Sequence, residues 1–236
     1  MNIISESLEK IRLYTKHNMD LMKCHHFLFN AIYKRENRVN LNAKADVIIM
    51  SINPAETEDD WKYYKGKTPA ENSNELDFHS YIIDENISAS AKRWKTLTKI
   101  FCEDLFGNNI NESAFFFWSS PDKGEKFKET FGYKWKSNSC LKHFNLCKEL
   151  NIDLIKYHKP KIVIAPGIGD AKYFSNIYEM KYIDTVVFES NGKRHRLIEH
   201  FEFQDIPFIF TKHWTGARGF SKIQKEIIID YLRQFS

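Results

Sequence analysis

The chain has 236 residues, 42% of them hydrophobic and 28% charged, with a formal net charge of +4. That length suffices for one domain with a sizeable core, and no apolar run approaches the ~18 residues of a membrane span. The mild positive charge permits a nucleic-acid partner without demanding one. The opening stretch, MNIISESLEKIRLY, contains acidic residues and lacks an apolar h-region, so it does not read as a secretory signal and the cytoplasm is the expected compartment.

Residues 4–36 repeat apolar side chains at helical period, among them Ile11, Tyr14, Leu21, Leu28 and Ile32, and predict a helical pair within an N-terminal segment 1–43. A β-branched run from Ala45 to Ile52 predicts the first strand, which ends in the polar turn Asn53-Pro54-Ala55-Glu56. Residues 56–87 are polar, acidic and aromatic without period, and an excursion of that length points to function or mobility. A helix is expected over 90–105, a second strand over Ala114–Ser119 (AFFFWS), and a long helix over 139–157 closed by Pro160. The third strand, Lys161–Pro166, enters Gly167-Ile168-Gly169 and a short helix. DTVVFES and KRHRLIEHF flank Asn191-Gly192, a strong two-residue hairpin turn. The fourth strand, Pro207–Lys212, ends in a second polar turn beginning His213-Trp214, and an amphipathic helix follows over 220–235.

Apolar strands separated by helices imply a parallel sheet covered on both faces. The expected fold class is therefore α/β: a single domain, 1–236, forming a three-layer α/β/α sandwich. It would have a central four-stranded parallel sheet, N-terminal helices and a small β-hairpin. Ligands of such sheets bind at the carboxyl ends of the strands, so the two polar turns can face one site.

Other chemistry is not signalled. In Gly167-x-Gly169 the third glycine of a dinucleotide fingerprint falls at Lys172, so a tight turn is the better reading and no cofactor is expected. There is no Gly-x-Ser-x-Gly elbow and no phosphate loop, and the nine histidines lack metal-ligand spacing. Of the four cysteines, Cys102, Cys140 and Cys147 read as small buried apolar residues. Lysine clusters at 62–67, 92–95 and 123–128 could neutralise phosphates or form solvated faces.

The ordered set of motifs resembles the uracil-DNA glycosylase superfamily. Ser51-Ile52-Asn53-Pro54-Ala55 stands where that family carries a Gly-x-Asn-Pro-Gly type motif, and His213-Trp214-Thr215-Gly216 where it carries His-Pro-Ser-Pro. Pro160-Lys161-Ile162-Val163-Ile164-Ala165-Pro166-Gly167 is similar to its strand running into a glycine turn, and Ala91-Lys92-Arg93-Trp94-Lys95 to the segment opening the helix after the first motif. The likeness spans about residues 44–235. It implies a DNA partner, duplex or single-stranded, and a monomer with no cofactor, metal or membrane. The implied activity is monofunctional hydrolysis of an N-glycosidic bond, leaving an abasic site.

On that resemblance Asn53 orients water, and one of Glu56, Asp59 and Asp60, with Glu56 favoured, assists as base or stabilises the cation. His213 donates to the departing base. Trp61, Tyr63, Tyr64 and Trp214 are available to hold a flipped base. Arg218 lies at the family's wedge position, and Lys212, Lys92 and Arg93 are candidate DNA contacts. Ser119 stands where members often place an asparagine that reads uracil's edge. Serine frees volume and lacks an amide's paired donor and acceptor, so the expected base is a bulky modified pyrimidine, such as a glucosylated hydroxymethylcytosine, rather than plain uracil. Phage defence and repair are both settings for such chemistry. Rival readings are a module that flips a base without cleaving it, a conventional uracil repair enzyme, and a hydrolase of free nucleosides.

Overall fold

The computed structural model describes residues 3–21, 30–32, 44–52, 89–118, 120, 123–214 and 219–236. The chain divides into two units. One comprises Met1–Asn30, Asn53–Ile87 and Ser113–Tyr157, and the other comprises Ala31–Ile52, Ser88–Glu112 and His158–Ser236.

A mixed sheet organises the second unit. Its strands are β1 (Asn30–Ile32), β2 (Val47–Ser51), β3 (Ile110–Ala114), β4 (Ile162–Pro166), β5 (Lys181–Ser190), β6 (Lys193–Phe203) and β7 (Ile206–Thr211), in the order β1-β3-β2-β4-β7-β6-β5. β2, β4 and β7 are parallel neighbours. β6 runs antiparallel to β7, and β5 antiparallel to β6. The α/β class holds, but the sheet is mixed rather than four parallel strands. The hairpin is the reason. β6 buries Leu197, Ile198, Phe201 and Phe203, so it extends the sheet beside β7 instead of hanging from it as a small appendage. Its turn forms as the Asn-Gly pair predicts, with Asn191 at φ 51° and Gly192 at φ 69°.

Two further expectations are corrected. Asn30–Ile32 is a strand inside the stretch read as helical, because short apolar runs fit either period. The second strand is Ile110–Ala114, and it ends where AFFFWS begins. Backbone N–H groups of Asp46 and Val47 bond to the Asn109 carbonyl, which seats INESA in the ladder. The aromatic run then serves the first unit. Phe115, Phe116, Phe117 and Trp118 are all enclosed, with the Phe116 ring among Phe127, Phe131, Trp135 and Phe144.

The helices expected over 90–105, 139–157 and 220–235 fall close to their places, whereas Glu125–Phe131 is a helix that the sequence reading did not anticipate. In the first unit are α1 (Ile3–Lys16), and then, following the sheet's early strands in the chain, α4 (Glu125–Phe131) and α5 (Asn138–His158). In the second, α2 (Ala89–Thr98) passes through a π-helical turn (Lys99–Glu103) into α3 (Asp104–Phe106). α6 (Ala171–Tyr178) follows a 3-10 turn, and α7 (Lys222–Leu232) opens with a capping box between Ser221 and Gln224. Val47, Ile49, Ile162, Ile164 and Ile209 pack with Phe101, Cys102, Ile228 and Leu232 in this unit's core. Cys102, Cys140 and Cys147 are buried thiols, as read from their surroundings. Among the described residues no helix is long and apolar enough to cross a membrane.

Candidate functional site

The carboxyl ends of β2, β4 and β7 come together at one sheet edge. Ile49 pairs with Ile164 and Ile164 with Ile209, and Pro166 pairs with Thr211. The same register carried two residues along β2 sets Ser51 beside Pro166. β2 and β7 are thus two strand spacings apart, ~10 Å, with only β4 between them. The chain leaves β2 toward β3 on one side and leaves β4 toward β7, β6 and β5 on the other. Such a reversal is where open α/β sheets form their ligand crevice.

Gly167 shapes this edge. Its N–H donates to the Thr211 carbonyl at 2.8 Å, tying the turn after β4 to β7. A Cβ placed on Gly167, at φ 155°, would lie 2.4 Å from Ile52 Cδ1. The glycine therefore serves close approach between the turn and the residue before Asn53, which agrees with a tight turn rather than a nucleotide loop.

The two residues after Lys212 have opposite fates. His213 is exposed. Trp214 is fully enclosed, its Nε1–H donating to Thr211 Oγ1 at 3.0 Å. Its ring lies 4.9 Å from that of Trp94 and 5.7 Å from that of Phe101. Trp214 is thus a core anchor and offers no ring face to a ligand in this arrangement. Lys212 is half-buried at the strand end, and Lys92 (exposed) and Arg93 (half-buried) sit on α2 beside Trp94. The Trp94–Trp214 contact brings α2 against the end of β7, so these three basic residues and His213 share one neighbourhood. Asn53, Glu56, Asp59, Asp60, Trp61, Tyr63, Tyr64, Ser119 and Arg218 lie outside the described residues.

Beneath the anchor is a carboxyl that no sequence pattern marks. Glu112 of β3 accepts from Trp94 Nε1–H at 2.7 Å. Burial pushes its pKa up to about 7, against the opposing pull of that hydrogen bond. On the other face of β3, the Ala45 N–H donates to His158 Nδ1 at 3.0 Å, and the Asn111 side-chain amide lies 3.2 Å from His158 Nε2. Burial, helped by the charge of Lys44, lowers the His158 pKa to about 4, so the ring is neutral near pH 7.

The first unit holds its own polar chain. The Tyr14 hydroxyl lies 3.0 Å from His143 Nδ1, and His143 Nε2 lies 3.0 Å from Asp20 Oδ2. Trp118 Nε1–H donates to Thr15 Oγ1 at 3.0 Å. Burial lowers the His143 pKa and raises that of Tyr14 to about 12, so both are neutral and act as packing ties between α1 and α5. Their partners stand more than a hundred residues apart in the chain, beyond the reach of any local pattern. Among the described residues no group of three or more His, Cys, Asp or Glu side chains is placed to hold a metal ion. No protein-family model matches the chain, and no curated protein matches it.

Proposed function

We propose that the chain is a monofunctional DNA glycosylase on a three-layer α/β/α frame, hydrolysing the N-glycosidic bond of a flipped-out modified base. The observation that carries this reading is the edge itself. In the chain Asn53-Pro54 comes just after β2 and His213 just after β7, and the two strands end level with one strand between them. Glycosidic hydrolysis needs two such groups. One orients water toward a sugar that gains positive charge, and the other donates to a base that leaves with negative charge.

In this reading Asn53 holds the water through its amide, and Glu56, with Asp59 and Asp60 as alternatives, supplies the negative charge. His213 donates to the leaving base. The Trp214 anchor supports the reading, because a donor is most effective when its backbone cannot shift during the reaction. With Trp214 occupied in the core, stacking of the flipped base falls to Trp61, Tyr63 and Tyr64. Arg218 fills the gap in the duplex, and Lys212, Lys92 and Arg93 neutralise phosphates. The base is a bulky modified pyrimidine, the reading that Ser119 favours over plain uracil.

The test is abasic-site formation on duplexes carrying uracil, 5-hydroxymethylcytosine or glucosylated hydroxymethylcytosine. His213→Ala is expected to slow single-turnover excision by ~10²–10³, the loss typical of one preorganised donor, while DNA binding persists. An unchanged rate would remove His213 from the chemistry. Binding of a modified duplex with no abasic product on any base supports instead a module that flips without cleaving. An asparagine rather than an acid at the water-orienting position favours that second reading. Activity on free nucleosides alone would indicate the nucleoside hydrolase, and efficient excision of uracil alone the conventional repair enzyme.

A further inference from the structure

β6 is longer than the strand it borders. Ile198 pairs with Thr211, and from there the pairing runs to Phe203 opposite Ile206. The five residues from Lys193 to Leu197 therefore continue past the carboxyl end of β7, on the side where β2 and β4 also end. Along this stretch β6 pairs with β5: Val187 with Arg196, Phe188 with His195, Glu189 with Arg194 and Ser190 with Lys193. At the usual rise per residue, the ribbon reaches ~17 Å beyond Thr211 before its turn. Its point of departure carries a bulge. Val186 pairs with Ile198 and Val187 with Arg196, which leaves Leu197 as an extra residue on β6. Bulges bend and twist a strand and so re-aim what lies beyond them. The root is held down by buried Leu197 and Ile198.

Charge is sorted along this arm. Asp184, Glu199 and Glu202 stand at or inside the root with Lys181, whereas Lys193, Arg194 and Arg196, all exposed, stand beyond it with Glu189 as the one carboxylate there, leaving the outer part net basic. Arg196 pairs with Glu199 at the root. Arg194 faces Glu189 at 3.1 Å, with the two side chains 75% and 69% exposed. Ion pairs this exposed are weak, so Arg194 can exchange its carboxylate for a phosphate.

We infer that the β5–β6 arm is a second DNA-contacting element, a basic ribbon whose Lys193 and Arg194 grip backbone phosphates of duplex DNA beside the sheet edge that bears His213. The choice of DNA rests on the glycosylase reading. The geometry adds the place and the form: a twisted two-stranded ribbon, of the size that a major groove admits, projecting from the edge where the base would be held.

Lys193→Ala/Arg194→Ala and Lys193→Gln/Arg194→Gln keep the Asn191-Gly192 turn and change only exposed side chains. Anisotropy of a labelled, unmodified duplex measures affinity at several salt concentrations, with thermal melting to establish that each variant is folded. Loss of two phosphate contacts is expected to reduce the slope of log K against log salt by about 1.8, with an affinity loss of about tenfold or more at low salt. Folded variants with the wild-type affinity and slope overturn the proposal, as does a wild-type chain that fails to bind duplex at low salt. Tighter wild-type binding to single-stranded RNA, with the variants' loss confined to RNA, overturns it in favour of an RNA-binding arm. The wild-type abasic-site assay decides the catalytic reading separately. A changed slope with no base excised keeps the arm and removes the glycosylase; excision with an unchanged slope does the reverse.

Discussion

β3 and β4 flank the same strand, β2, and are built from opposite materials. β4 is IVIAP with all five residues buried, whereas β3 is INESA with only Glu112 partly open. Apolar burial is non-directional, so β4 is held by whatever packs against it. β3 is held by pairings: Asn111 beside His158, Glu112 with Trp94, and Ser113 donating to Asn151 Oδ1 at 2.5 Å. A buried polar group is tolerable only when it is matched. β4 therefore depends on volume and β3 on particular partners.

The largest effect is expected where volume is lost. Ile164→Ala removes a fully buried side chain from the core beside β2 and β7, and it should cost ~2–5 kcal/mol in urea unfolding. A loss below 1 kcal/mol would break the comparison, because β4 would then not depend on packing. Next is Asn151→Ala. It strips the acceptor from the Ser113 hydroxyl and the donor that serves the Ala114 carbonyl at 2.9 Å. The expected loss is ~2–3 kcal/mol, part of it recovered when Ser113→Ala is added. Strict additivity of the two substitutions would mean that the pairing contributes nothing.

The smallest effect is one of pH, and it sharpens the contrast because Glu112 of β3 and its neighbour His158 pull in opposite directions. His158 is held near a pKa of about 4 against its usual 6.5. Between those values the unfolded chain binds more protons, so the neutral ring's contribution is full above pH 6.5 and is lost as pH falls through about 4. Glu112 is raised to about 7 from 4.5, so the folded chain binds more protons between those values. Its contribution is full below pH 4.5 and is lost as pH rises through about 7. Glu112→Gln keeps an acceptor for Trp94 and removes the second trend. Its stability relative to the parent should rise from pH 5 to pH 8, read from urea midpoints. A constant difference would mean that Glu112 titrates as an ordinary carboxylate.

Legibility in the sequence follows the same division. β2, β4 and β7 announce themselves as apolar β-branched runs, and the hairpin as two such runs around Asn-Gly. β3 has no period to read: its burial depends on Trp94, Asn151 and His158, which only the fold brings near. AFFFWS drew the strand assignment because burial and strand share a composition. The candidate site divides in the same way. That His213 follows a strand end could be read locally. That Trp214 turns inward could not, since its enclosure is made by Trp94 and Phe101 from α2 and the π-helical turn that follows.

That π-helical turn, Lys99–Glu103, works as a phase shifter. An i→i+5 ring encloses one residue more than the α-helical ring, so the helix before it is rotated relative to the helix after it. Phe101 and Cys102 can then face the core while Trp94 meets both Glu112 and Trp214. Were these same five residues wound as ordinary α-helix instead, everything before them would swing by about 100° around the axis. Trp94 would leave its carboxyl and its stacking partner, and Lys92 and Arg93 would turn with it. One surplus residue, with no chemistry of its own, sets the direction in which this corner of the molecule faces.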